Sequence, residues 1–215
     1  MAVKLDLYNA ALIEIGEGTI ASTSEARKPR YVIDAIYDEV LEDCLEAGDW
    51  NFAIREIKAD ADTAVTPAFG FTEVFAKPSD WVRTVGLSAN ENYWPPLADH
   101  QYNDAVGYWS ANFTPIYIKY VSNGASYGLG LTIWPRSFTR FVEVALADRI
   151  VNAITQNASD KERLEKVTLP RAKRDALNKD SMNEGMKFHR VSTWNAARSG
   201  GMARRERGNP SSFTG

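Results

Sequence analysis

The sequence is poor in the residues that protein chemistry uses most. One cysteine, Cys44, among 215 residues excludes an internal disulfide. The two histidines, His100 and His189, lie far apart and leave too few nitrogen and sulfur ligands for a zinc centre. No apolar run approaches the roughly 20 residues that a membrane helix needs, and MAVKLDLYNA reads as an amphipathic helix, not a secretory leader. The expectation is a chain made in a reducing compartment, with no metal, no cofactor and no membrane contact. Catalytic constellations are missing too: no nucleophile beside a base, no paired acids, and no phosphate loop, since no Gly-Lys-Ser/Thr follows Gly16 and Gly18. His100, in LADHQYND with Asp99 and Asp104, is either a polar loop histidine or half of a hydrolase dyad.

What is present supports a folded core. Hydrophobic residues make up 44% of a chain long enough for one large domain, or one domain with an insertion. Charge is unevenly spread. The chain carries a net charge of −3, but residues 188–215 hold Arg190, Arg198, Arg204, Arg205 and Arg207 against Glu206 alone, so residues 1–187 are strongly acidic. The closing stretch, SGGMARRERGNPSSFTG, cannot bury enough surface to offset the entropy of ordering it. It is either a frayed end or an arm that becomes ordered on a partner. The target of its arginines is either nucleic acid or an acidic protein surface, and the acidic body argues against a broad phosphate-binding face.

Leu5, Tyr8, Leu12 and Ile15 recur at helical spacing and stop at Gly16. Ser22 with Glu25 forms a capping box for a second helix, in which Ile33, Ile36, Tyr37, Val40, Leu41, Cys44 and Leu45 trace one face before Gly48. Cys44 on that face is a packed, inert thiol. After Trp50 the texture changes to short strands: NFAIREIKA, FGFTEVFAKP with Phe69, Phe71, Glu73 and Phe75 on one side, DWVRTVGL and IYIKYV. A short helix is expected around Asp99 to Trp109. Tyr93, Trp94, Tyr108 and Trp109 form either a buried loop cluster or an exposed assembly surface, whereas Trp50, Phe52 and Trp81 read as core aromatics where helix meets sheet. Helix resumes after Pro135 with Phe138, Phe141, Val142, Leu146 and Ile150 on one face. A capping box at Ser159 and Glu162 then opens a charged segment with Lys161/Glu165 and Arg171/Asp175 pairs and a kink at Pro170.

Together these give an α+β fold: an antiparallel helical bundle built from both chain ends (residues 1–50 and 136–187), a β-rich insertion with long loops (residues 51–135), and an extended basic C-terminal arm (residues 188–215).

Five segments, in order, carry a resemblance: LYNAALIEIGEGTIAS, YVIDAIYDEVLEDCLEAGDWNFAIRE, FTEVFAKPSDWVRTVGL, IYIKYVSN and WPRSFTRFVEVALADRIVNAIT. Over roughly residues 4–187 the chain resembles the tail tubular protein A and head-tail adaptor family of tailed bacteriophages and gene transfer agents. The matching positions are Asn9, Ile15, Gly16 and Glu17; Trp50, Phe52 and Ala53; Pro78 and Asp80; and Arg83 and Val85. The resemblance implies a virion neck protein without catalytic residues. It implies a dodecameric ring between portal and tail, partnered by copies of itself, the portal and a tail tube or nozzle protein, with double-stranded DNA passing through the lumen without sequence-specific binding. The loops from Ser88 to Asn112 and the tail after Lys187 match no family feature. In the arm, Trp194, Arg204, Arg205, Arg207 and Phe213 are the expected partner-binding residues. Two other functions stand beside this one: nucleic-acid binding through the arginine tail, and a small hydrolase centred on His100.

Overall fold

A computed structural model describes residues 3–67 and 69–183. Two helices, α1 (Lys4–Glu14) and α2 (Lys28–Glu46), precede a 3-10 turn (Asn51–Ala53) and six strands: β1 (Ile54–Ala59), β2 (Glu73–Ala76), β3 (Trp81–Ser88), β4 (Tyr102–Ala105), β5 (Tyr108–Ala111) and β6 (Ile116–Ser122). Then come α3 (Arg136–Ile154), α4 (Ala158–Arg163), a π-helical turn (Leu164–Thr168) and α5 (Leu169–Asn183). The fold is mixed, with helices and two small antiparallel sheets segregated along the chain, as an α+β chain requires.

Helix α1 ends where its glycine dictates. Gly16 sits at φ +74°, and the Glu17 and Gly16 N–H groups donate to the carbonyls of Leu12 (2.9 Å) and Ile13 (3.0 Å), a Schellman closure. The chain then folds back because the Asn9 amide grips the Ile20 backbone from both sides, accepting from its N–H (2.9 Å) and donating to its carbonyl (3.1 Å). The Ser22/Glu25 expectation fails as a helix start. Ser22 Oγ accepts from Ser24 N–H and Glu25 accepts from Ala21 N–H, but both bonds stabilise a turn. Helix α2 begins only at Lys28, where Pro29 is pre-set for its first turn.

Helix α3 packs against α1, α2 and α5 and is buried on most of its surface. Its ties to the others are partly ionic: Glu14 at the end of α1 accepts from Arg140 of α3 (2.5 Å) and from Arg163 of α4 (3.2 Å). The Ser159 capping box is replaced by Asn157, whose side chain accepts from Ser159 N–H (3.1 Å). Lys161 pairs with Asp148 of α3 (2.8 Å), not with Glu165, because reaching the neighbouring helix gives it a partly buried partner. A kink is expected at Pro170; the irregularity the helix shows lies one turn earlier. There the Leu169 N–H reaches back five residues to the Leu164 carbonyl, widening the helix into a π turn.

The strands form two sheets, β1-β6-β3 and β2-β5-β4, and enclose a core of their own. Alternation along β6 turns Ile116, Ile118 and Tyr120 toward Phe75, Leu87 and Trp109, while Val121 joins the helical core. The helix expected around Asp99 to Trp109 is instead the β4–β5 hairpin. Gly107 at φ +80° makes its turn, and Trp109 and Ala111 alternate inward with period two. Phe69 and Phe71 precede β2 and do not extend its inner face; Phe69 is 89% exposed while Phe75 is fully buried.

Two features tie the elements together, one between helices and strands and one among the strands. Trp50 is 1% exposed; its indole N–H donates to the Cys44 carbonyl (2.9 Å), and its ring packs against Phe52, Phe138 and Phe141. Asp80, in the turn before β3, accepts from Arg55 (2.8 Å), Tyr120 Oη (3.0 Å) and Ser122 Oγ (2.5 Å), so one carboxylate binds β1, β3 and β6.

Trp50→Ala is expected to destabilise the chain by about 3–5 kcal/mol, because the void at the junction cannot collapse; the shift in urea midpoint measures this. Burial works to raise the carboxyl pKa of Glu14, Asp34 and Asp80, but hydrogen bonds and cations outweigh it and hold all three below their ordinary values. Their stabilisation is therefore complete above the unfolded pKa of about 4 and is lost as pH falls through the lower folded values. Urea midpoints measured against pH should stay flat to about pH 5 and drop below about pH 4, and Asp80→Asn should flatten that drop.

Candidate assembly surface

Residues 60–67 and 69–72 lie between β1 and β2 in the chain and border the β2-β5-β4 sheet. They are held there by Asp62 N–H donating to the Val74 carbonyl (2.7 Å) and Thr72 N–H donating to Asn112 Oδ1 (3.0 Å). Between this segment and the sheet lies a groove of about 460 Å³, walled by Val65, Pro67, Phe69 and Phe71 on one side and Val74, Tyr108 and Ser110 on the other, with Asp99 and His100 among its lining. Phe69 and Val106, the latter at the hairpin turn, are 89% and 99% exposed. An exposed apolar groove is a feature of surfaces that contact another molecule.

At the base of this module one lysine meets two indole rings and a carboxylate. The Lys77 ammonium lies 3.6 Å from the Trp81 ring centroid and 5.6 Å from that of Trp109, and it pairs with the Asp104 carboxylate. His100 thus shares its groove with Asp99, while Asp104 is engaged by Lys77. The four aromatics left open by the sequence divide between the two readings. Trp109 is fully buried and donates to Thr84 Oγ1 (2.8 Å), whereas Trp94 and Tyr108 are 51% and 36% exposed. Tyr93 is half-buried at φ +53°, its hydroxyl against Gly86 and its ring under the Lys119 ammonium at 4.6 Å; burial raises its pKa. Beside it a second, polar groove of about 380 Å³ opens over Glu56, Lys58 and Tyr117.

Cys44 lies buried on the apolar face of α2, and desolvation pushes its thiol up to about 12. Trp50 and Phe52 stack within the helical core, and Trp81 packs against the sheet core. Among the described residues no cluster of His, Cys, Asp or Glu is arranged to hold a metal ion, and no helix is long and apolar enough to cross a membrane. The partner-binding residues read from the sequence, Trp194, Arg204, Arg205, Arg207 and Phe213, lie outside the described residues. The groove was missed because its aromatics, Phe69 and Phe71 before β2 and Tyr108 on β5, come from separate segments that only the sheet brings together. Its one sequence signal is the Phe-Gly-Phe between turn residues.

Phe69→Ser should change the urea midpoint by no more than about 0.5 kcal/mol equivalent, as expected for a surface position, while lowering the fluorescence of an apolar dye bound to the protein. Comparison of the chain with known proteins finds no matching family model and no matching curated protein.

Proposed function

We propose that the chain is a structural adaptor of a tailed phage or phage-like particle, assembling as a ring between portal and tail through which DNA passes. One observation carries this reading: a β module with its own core holds an apolar groove and a bare hairpin turn open to contact, beside a separately cored set of helices. That construction suits a protein whose surfaces are completed by neighbours. The residues of the resemblance sit where elements join: Asn9 and Gly16 close α1, Trp50 links the two parts, and Asp80 ties the sheet. In this reading α1, α2, α3 and α5 are the antiparallel bundle from both chain ends, and the rotation relating copies makes their contacts heterologous.

The net negative charge of residues 1–187 works against a broad phosphate-binding face, so the duplex slides instead of sticking. Residues 188–215 supply an arm to the portal, with Arg204, Arg205 and Arg207 pairing with its carboxylates and Trp194 or Phe213 entering an apolar pocket. Repeated around a ring, weak arms add through avidity.

The test compares the whole chain with one truncated after Lys187, each mixed with portal-bearing capsids and sedimented. The whole chain should co-sediment, while the truncated chain should keep its circular dichroism and urea midpoint but fail to attach. A whole chain that does not attach contradicts the adaptor reading. A truncated chain that attaches normally but lets DNA escape assigns the arginines to DNA instead.

A further inference from the structure

The outward face of α2 is acidic and only partly compensated. From Tyr31 to Asp49 there is no lysine or arginine, and Asp38, Glu39, Glu42 and Glu46 recur at helical spacing on the exposed side, beginning beside Tyr31, which is 53% exposed. With Asp43 they meet one cation from elsewhere in the fold, the Arg149 guanidinium, 3.4 Å from Glu39 and 2.6 Å from Asp43. Several of these carboxylates occupy the last turns of α2, where the helix dipole disfavours negative charge; α2 has no basic residue of its own there, and the Arg83 guanidinium of β3 reaches only the Glu46 carbonyl and Asp49. Among the described residues no cation pairs with Asp38 or Glu42, so the exposed side of α2 keeps a negative charge that a second molecule can complement.

The complementary surface is on the same chain. Helix α5 turns Arg171, Arg174, Asn178 and Met182 outward, with Lys179 at the margin, and Met182 is 82% exposed. Asp175 faces Arg171 at 3.9 Å, and Asp180 is turned inward, accepting from the Asn51 N–H at 3.1 Å, so Arg174 and Lys179 are not neutralised by the acids of their own helix. Both helices pack on α3, and each leaves its charged side to solvent.

We infer that the acidic face of α2 in one copy docks on the basic face of α5 in the next, with Tyr31 and Met182 supplying the apolar contact. Such a contact joins two different patches, so it propagates head to tail instead of ending at a dimer, and it makes a ring where the rotation between copies closes. It gives the ring reading above a specific interface and rests on that reading for its biological setting. The contact itself needs no portal.

Charge reversal tests it. Asp38→Lys, Glu42→Lys and Glu46→Lys together make both faces basic; Arg171→Glu and Arg174→Glu together make both acidic. Self-association of the whole chain is followed by sedimentation velocity in low salt up to the highest soluble concentration. The unaltered chain should associate, and more weakly as salt is added, since exposed charges are screened. Each reversed chain alone should associate about tenfold more weakly or worse, and an equimolar mixture of the two should recover the unaltered behaviour, because every contact again joins opposite charges. If a reversed chain loses its circular dichroism, the neutral variants Glu42→Gln and Arg174→Gln take its place and should each weaken association. Reversed chains that associate like the original, a mixture no better than its parts, or an unaltered chain that stays monomeric throughout would overturn the proposal. Recovery by mixing, alongside failure to bind portal-bearing capsids, would uphold the interface while sinking the adaptor reading.

Discussion

Trp50 is the constraint on which the molecule turns. Its ring fills the space among Phe52, Phe138 and Phe141, and its one donor is satisfied by the Cys44 carbonyl of α2. A buried indole without a partner for its N–H would cost free energy, so the end of α2 and the start of the strands are placed together. Asn51 extends the joint: its N–H and side-chain amide both bond Asp180 of α5, so the last helix is fixed to the same point. Helix, strand and returning helix therefore meet within two residues of sequence.

Electrostatics finishes what packing begins. Asp80 gathers three donors, and the Arg83 guanidinium reaches from β3 to the Glu46 carbonyl (3.3 Å) and Asp49 (2.9 Å) at the end of α2, where a cation suits the helix dipole. The Arg83 bonds hold β3 against the end of α2 and those of Asp80 tie the strands to one another, while Phe69, Tyr31 and Met182 stay exposed. An adaptor needs that division, because the surfaces that bind neighbours cannot also be consumed in holding the fold.

Much of this was legible in the residues, for a physical reason. The apolar faces of α2 and α3 repeat over nineteen residues each, long enough for the period to be unambiguous, and Gly16 could only be a turn. The hairpin at Tyr102–Ala111 was not legible, because four-residue strands carry too few alternations to outweigh a loop rich in Asp, Asn and Tyr. The capping boxes at Ser22 and Ser159 misled because the same side-chain bonds stabilise turns that precede a helix as readily as the helix itself. The groove and the opposed charges of α2 and α5 are properties of surfaces, and a linear sequence shows them only once the packed faces are known.

The central claim, that the chain is one subunit of a ring seated on a portal, is tested most directly by electron cryomicroscopy of portal assemblies mixed with the purified chain. The account predicts a closed ring of additional density coaxial with the portal, with repeating subunits into which the helices and the two small sheets fit. Portals that remain bare, or that carry the chain at scattered positions without rotational order, would contradict it.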